Sequence, residues 1–328
     1  MFKRRILRNS RADLLCVCVI PFQISFYVIL AFEFYRLSWP ILLLLIPILN
    51  ALSLQNSGAN HNHYHTPFFH ARWLNALVRM GFSTTGAPKT PYNIGHGLHH
   101  AADESWNDRS ILEMLGLKRK LHTQFLSLVL FFPESFGIKY VIFLVLLKRW
   151  DPARLAVLVS PKEPELAERV LTRLRQPNVL AAAKLDLAAW LTFRLVLLAI
   201  DWRFFVFYFI PVTYLNDTLR QAENFFQHWG ASDPNDRARD AVSCYGRLYN
   251  FLTFNLGYHQ EHHFRPGAHW RELPRIASQL PTDRRIVAFS HYTNVPLLFP
   301  GVAVQLQERR SSTPPSSPAM DETYSRDH

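Results

Sequence analysis

The sequence lacks the signatures of several large enzyme classes. Its 328 residues include only 3 Cys, none arranged as CxxC, so neither a disulfide framework nor a cysteine-held metal cluster is predicted. No GxGxxG motif or P-loop occurs, and no nucleotide site is therefore predicted. The absence of HExxH argues against a zincin protease, and the absence of Glu-x-x-His argues against a soluble carboxylate di-iron bundle.

Charged residues are scarce as well, at 19%, whereas apolar residues reach 49% and aromatic residues 14%. This composition excludes a disordered or collagen-like chain. Lys and Arg (36) outnumber Asp and Glu (25), and the net charge is +11. A basic chain often binds nucleic acid. Here the apolar residues are segregated into long runs, so we interpret the positive charge as a sign of membrane topology and expect no nucleic-acid partner.

Long apolar runs dominate the chain, and a run of about 20 residues can cross a bilayer as a helix. The first follows a basic N-terminus and exceeds the usual length of a signal-peptide core, so an uncleaved span is predicted. The third is interrupted around Pro133, and it either spans the membrane or lies in its interface. The runs are Leu14–Tyr35, Leu37–Leu54, Phe125–Leu147, Leu185–Ile200 and Trp202–Leu215.

These runs predict an all-α integral membrane protein. We expect about four transmembrane helices in two hairpins, with a cytoplasmic helical cap that holds the histidine-rich segments. The basic segment 148–184 favours an interfacial or re-entrant third run, which places both termini in the cytoplasm. Residues 1–304 are predicted to form one domain. The Ser/Pro-rich tail, residues 305–328, is predicted to be disordered.

Histidines are grouped in four short clusters. The first is HxxxH, the second HxxHH, the third NxxxH and the fourth HxxHH again. Spacings of three and four residues place side chains on one face of a helix. Each cluster can therefore direct its imidazoles at one point, as ligands of Fe, Zn, Cu or Ni. The clusters contain His61 and His65; His96, His99 and His100; Asn224 and His228; and His259, His262 and His263.

The number of imidazoles favours two metal ions over one. A single HxxxH or NxxxH motif arises readily by chance, but two HxxHH clusters, each just beyond an apolar run, seldom do. His63 and His70 lie off the register of the first cluster, so supporting or surface roles are predicted for them. Glu261, inside the last cluster, either orients an imidazole or is a solvated surface charge.

The order of the four clusters around two membrane hairpins resembles the membrane fatty acid desaturase superfamily. The first cluster has the extended form HxxxHxxxF, which ends at Phe69. The last continues as His-His-Phe-Arg-Pro, followed by Trp270 and Leu273-Pro274, which is similar to acyl-lipid desaturases and carotenoid ketolases. The resemblance covers roughly residues 14–285. One departure is Asn62, where many members of the superfamily carry Asp.

The resemblance implies a non-haem di-iron centre that uses O2 as co-substrate. Asn224 matches a position that holds an iron through water in related desaturases. The resemblance implies the following nine imidazole ligands: His61, His65, His96, His99, His100, His228, His259, His262 and His263.

The implied reaction is the oxidation of an unactivated C–H bond in a lipid or fatty acyl chain, with desaturation expected first. Hydroxylation, ketolation and alkene-forming decarboxylation on the same centre stay open. The chain shows no haem or cysteine-cluster domain, so a separate ferredoxin or cytochrome donor is implied as a partner. A non-enzymatic membrane metal transporter is the remote alternative. Transport needs ionisable groups within the spans, whereas here the histidines cluster outside the apolar runs, which hold almost no charge.

Overall fold

The computed structural model describes residues 6–101, 147, 149–159, 164–228 and 236–280, except for a few side chains that include those of His99 and Asn224. The described part is all-helical and contains no strand, which confirms the all-α prediction. The helices are α1 (Asp13–Glu33), α2 (Trp39–His65), α3 (Arg72–Thr85), α4 (Lys89–Ala101), α5 (Pro152–Val159), α6 (Pro164–Arg175), α7 (Pro177–Ile200), α8 (Trp202–Phe204), α9 (Ile210–Phe226), α10 (Arg247–Thr253), α11 (His259–Phe264) and α12 (Leu273–Ile276).

Helices α1 and α2 form the first predicted hairpin. A short 3₁₀ turn, Phe34–Arg36, joins them, and Pro40 lies in the first turn of α2, where its missing N–H leaves no hydrogen bond unmade. Helices α7 and α8 meet at Asp201, whose side chain accepts hydrogen bonds from the backbone N–H groups of Arg203 and Phe204. A π-helical turn, Phe205–Phe209, then leads into α9.

The two hairpins pack against each other around one apolar core. Tyr27 of α1 makes edge-on ring contacts with Phe193 of α7 and Phe209 of the π-helical turn. The Tyr208 hydroxyl donates to the carbonyl of Leu42 in α2 over 2.6 Å. The two connections also adjoin, because Arg203 Nη1 donates to the Tyr35 hydroxyl over 2.6 Å. Four of the predicted apolar runs therefore lie side by side, with both tight connections at one end.

Two described helical segments, Asp13–Arg36 and Trp39–His65, are long and apolar enough to cross a membrane. Large apolar side chains on their outer faces, such as those of Phe32 and Leu44, are exposed. Helix α7 is not one of these two segments, and it carries three charged residues, Lys184, Asp186 and Arg194. The four-span topology therefore stays a prediction. Of the run 125–147 only Leu147 is described, and the tail 305–328 also lies outside the described residues.

Helix α2 extends beyond the second predicted span. The sequence predicts that this span ends near Leu54 and that a polar region follows. The same helix continues through the polar residues to His65. At 1.5 Å per residue its 27 residues reach about 40 Å, which exceeds the roughly 30 Å of a bilayer's hydrocarbon core. One continuous helix therefore runs from the apolar core to the first histidine cluster.

A buried polar layer separates the apolar core from the histidines. The amide of Asn56 donates to Gln23 over 3.2 Å and to the Thr85 hydroxyl over 3.0 Å. Further along α7, the buried Asp186 carboxylate accepts from Arg79 Nε over 2.9 Å and from the Thr90 hydroxyl over 2.6 Å. These bonds satisfy polar groups that would otherwise be costly to bury, and they join α1, α2, α3, α4 and α7.

Lys89 lies at the edge of this layer, and burial is the main cause that lowers its pKa to about 7 from an ordinary value of 10.5. Arg220 lowers this pKa further, whereas Asp217 and Asp186 raise it. Between about pH 7 and pH 10.5 the unfolded chain therefore binds more protons than the folded chain. Linkage then requires that the free energy of unfolding rises with pH across this interval.

We predict that Lys89→Met raises the thermal unfolding temperature most at and below pH 7, where wild type must bury an ammonium group, and progressively less towards pH 10. Thermal unfolding of both proteins in detergent across this pH range is the measurement. Lys184→Met, at an exposed lysine of α7, is the control and should change little. If Lys89→Met raises the unfolding temperature by the same amount at every pH, the lowered pKa of the buried Lys89 ammonium group is contradicted.

Candidate metal centre

The histidine clusters sit on helix ends that converge beyond the polar layer. His61 and His65 occupy the last two turns of α2, His96 and His100 lie on α4, and the last cluster forms α11. The backbone of α2 approaches that of α10 closely here, because a Cβ on Gly58 would overlap the carbonyl oxygen of Thr253. Glycine at this position therefore permits the two helices to pack near the histidines.

Four imidazoles form a first group. One ligand nitrogen from each of His61, His65, His96 and His262 lies within 4.8 Å of the others. The Nε2 atoms of His65 and His96 are 2.8 Å apart. Burial lowers the pKa of His262 well below its usual value, and His65 and His61 lower it further. The ring is therefore neutral at ordinary pH, with a lone pair available to a cation.

Three imidazoles, those of His228, His259 and His263, form a second group. The Nε2 atoms of His259 and His228 are 2.9 Å apart. His100 lies between the two groups, since its Nε2 is 3.0 Å from His262 Nε2 and its ring centroid is 4.5 Å from that of His263. The two groups therefore adjoin, as a pair of neighbouring ions would require.

The spacing of the nitrogens fits metal ligation. Imidazole nitrogens lie about 2.1 Å from a bound transition metal, so adjacent ligands at right angles are about 3.0 Å apart. The Nε2 pairs described above are separated by 2.8–3.0 Å, and the pair His100–His96 by 3.2 Å. A donor set made of imidazoles suits Fe, Zn, Cu or Ni, so the residues present fit iron without specifying it.

Asp240 orients two of these rings and was not predicted from the sequence. His263 Nδ1–H donates to its carboxylate over 2.8 Å, and His228 Nδ1–H donates to its backbone carbonyl over 2.8 Å. Both bonds place the proton on Nδ1, which leaves Nε2 to face the centre. Asp240 carries no motif, since it lies 12 residues after His228 and 23 before His263. Only the folded chain brings the three together.

Glu261 and Asn62 form hydrogen bonds to neighbouring segments of the chain. The Glu261 carboxylate is fully buried and accepts from the hydroxyls of Ser243 (2.7 Å) and Tyr245 (2.6 Å), so the surface interpretation was wrong. The Asn62 amide donates to the carbonyl of Phe254 over 3.0 Å. Because an ionised Asp cannot donate a hydrogen bond, Asn suits this position.

The remaining histidines and predicted ligands divide as follows. His63 Nε2 lies 3.2 Å from Asn75 Oδ1, and His70 is exposed, which agrees with their off-register positions. His228 lies in the turn after α9, so it is oriented by Asp240 and not by a helix face. The side chains of His99 and Asn224 lie outside the described part of the chain, and their predicted roles stay predictions.

The family model described as fatty acid desaturase matches residues 37–290, a range that contains all four histidine clusters. The chain belongs to the fatty acid desaturase family. The resemblance drawn from the histidine clusters is thereby confirmed, and the chain is a member of a family of membrane-bound, desaturase-like oxidoreductases. No curated protein and no solved structure gives a significant match.

We predict that Asp240→Ala weakens metal retention about 10- to 100-fold, because His263 loses the acceptor that fixes its ring. Asp240→Asn keeps an acceptor oxygen and should lose less. The measurement is the metal content of purified protein after dialysis against increasing concentrations of a chelator. Glu272→Ala, at an exposed carboxylate nine residues after His263, is the control and should match wild type. Unchanged retention in Asp240→Ala contradicts the orienting role.

Proposed function

We propose that the chain is an O2-dependent di-iron oxidoreductase that desaturates a lipid or fatty acyl chain. The observation that supports this most directly is the pair of adjoining imidazole groups, seven residues in all, in a chain of the desaturase family. The first group would hold one iron through His61, His65, His96 and His262. The second would hold the other through His228, His259 and His263, with His100 between them and His99 as a further ligand.

Iron with O2 supplies an oxidant that can take hydrogen from an unactivated C–H bond, which acid–base side chains cannot cleave. The chain's own residues hold and orient this pair. Asp240 fixes the rings of His228 and His263, and Glu261 anchors α11 through Ser243 and Tyr245. His61, His259 and His263 are buried, which limits access of water to the reacting bond.

A substrate drawn from the bilayer fits the position of the centre. Helix α2 joins the exposed apolar face at Leu43 and Leu44 directly to His61 and His65. An acyl chain that leaves the lipid phase beside this helix would therefore meet the histidines at its far end. We expect a lipid or fatty acyl substrate on this basis.

The topology and the electron source are proposed together. The adjoining connections at Tyr35 and Arg203 lie at one end of the apolar core and the histidines beyond the other, as four crossings with the histidine clusters and both termini in the cytoplasm would produce. Desaturation consumes two electrons from outside the substrate. With only Cys16, Cys18 and Cys244, all of them free, the chain lacks the four thiolates of an iron–sulfur cluster. A separate ferredoxin or cytochrome would therefore supply the two electrons.

We predict that expression of wild type changes the fatty acyl composition of the host's lipids by loss of two hydrogen atoms. His262→Ala should abolish this change and lower the iron content, because the first group loses a buried ligand. His70→Ala, at an exposed histidine, should do neither. Mass spectrometry of extracted lipids, together with iron analysis of each purified protein, is the measurement.

The same experiment separates the alternatives. Gain of one oxygen atom indicates hydroxylation, conversion of a methylene to a carbonyl indicates ketolation, and loss of CO2 together with two hydrogen atoms indicates alkene formation. If the His262→Ala variant oxidises lipids as fully as wild type, the assignment of these histidines as metal ligands is contradicted. If the protein binds iron but leaves all lipids unchanged when electron donor and O2 are present, the proposed oxidoreductase activity is contradicted. The metal-transporter hypothesis would then be the one that is left.

A further inference from the structure

Three stretches of chain meet at the N-terminal end of α1. The backbone N–H of Arg8 donates to the carbonyl of Phe68 over 2.8 Å, and that of His70 donates to the carbonyl of Ile6 over 3.2 Å. The buried Asp13 carboxylate accepts from His269 Nε2 over 2.8 Å and from Trp270 Nε1 over 3.0 Å. The N-terminal segment is thereby joined to the segments that follow the first and last histidine clusters.

The surface that these stretches share is strongly basic. We call Arg8, Arg11, Arg72 and Arg271, all exposed, the arginine cluster. Arg271 Nη1 lies 3.5 Å from Ser10 Oγ, which places its guanidinium against the N-terminal segment. Within residues 6–13, 66–73 and 264–275, Glu272 is the exposed carboxylate, because Asp13 is buried. The cluster therefore forms a cationic patch with little opposing charge.

The arginine cluster lies at the height of a lipid headgroup layer. Exposed apolar side chains on α1 begin at Leu14 and Leu15 and continue to Phe32. The 21 residues of α1 rise about 31 Å, which matches the roughly 30 Å hydrocarbon core of a bilayer. Arg8 and Arg11 come just before this length, where a lipid-inserted α1 meets the headgroups.

Two exposed apolar side chains beside the cluster also indicate that this surface lies at a membrane interface. Trp73 and Leu77 lie one turn apart on α3, directly after Arg72, and their side chains are 65% and 53% exposed. Helix α3 packs alongside α1, since a Cβ on Gly81 would meet the side chain of Ile20. Tryptophan with arginine at the end of a span is the usual composition of a membrane interface.

We propose that the arginine cluster binds the headgroups of anionic phospholipids in the cytoplasmic leaflet, with Trp73 and Leu77 inserted beside them. An acidic protein would also be attracted by the charge. The exposed apolar side chains of Trp73 and Leu77, on a helix that packs alongside α1, favour the membrane. Because His269 and Trp270 follow the last histidine cluster closely, bound lipid would also help to fix that segment. The proposal needs membrane insertion only and is independent of the oxidation.

The test uses purified full-length protein in vesicles whose lipids carry bromine on their acyl chains, since bromine quenches a tryptophan that it contacts. Quenching by brominated phosphatidylglycerol is compared with quenching by brominated phosphatidylcholine. The signal of Trp73 is obtained by difference from a Trp73→Phe variant. Each arginine near an anionic surface increases binding by up to about fivefold, so we expect a clear preference of the Trp73 site for phosphatidylglycerol that weakens with salt.

Substitution of all four cluster residues by Gln should abolish this preference. Substitution by Lys keeps the charge and should retain it. Gln at Arg154, Arg169, Arg173 and Arg175, exposed on α5 and α6, is the matched control and should also retain it. The thermal unfolding temperature of each variant reports that it is folded.

Equal quenching of wild type by the two lipids overturns the proposal, and so does a preference that survives in the Gln variant. An acidic ferredoxin that binds phosphatidylcholine vesicles of wild type but not of the Gln variant, without any preference for phosphatidylglycerol, would identify the patch as a protein-docking surface and would equally overturn it.

Discussion

The close approach of imidazoles from separate stretches of chain is the constraint on which the structure depends. Nitrogens such as His65 Nε2 and His96 Nε2, 2.8 Å apart, can share a proton only when one ring donates and its neighbour accepts. Seven rings in two adjoining groups use that arrangement inefficiently, whereas a cation at the centre of each group satisfies every lone pair at once. Metal bound at these groups would therefore be coupled to the fold, as in other sites whose ligands come from distant segments.

The remainder of the fold serves to bring these rings together and keep them there. Helix α2 provides the continuous link from the apolar core to the first cluster, and the buried layer around Asn56 and Asp186 fixes its neighbours. Glu261 and Asp240 then hold the last cluster from behind. Under the proposed function, a centre built on helix ends just beyond an apolar bundle would give lipid chains access to a metal pair held on ordered backbone.

The sequence predicted what local spacing controls. HxxHH places rings on one helix face, and the run Leu14–Tyr35 agrees with α1 because apolar length is a local property. The extension of α2 to His65 was missed because polar residues there are buried by α10 and α11, which no local pattern shows. The orienting role of Asp240 and the hydrogen bond donated by the Asn62 side chain were missed for the same reason, since their partners are distant in sequence. The NxxxH spacing predicted a helix at His228, but the helix ends at Phe226. The His228 ring is oriented by its hydrogen bond to the backbone carbonyl of Asp240, which is distant in sequence.

X-ray absorption at the iron edge of the purified, iron-loaded protein tests the central claim most directly. Imidazole rings give a characteristic outer-shell scattering pattern that carboxylates and water do not. The account predicts two irons per chain, with imidazole nitrogen as the dominant neighbour of both. A single iron per chain, or a shell made mainly of oxygen ligands, would contradict a centre formed by these two histidine groups.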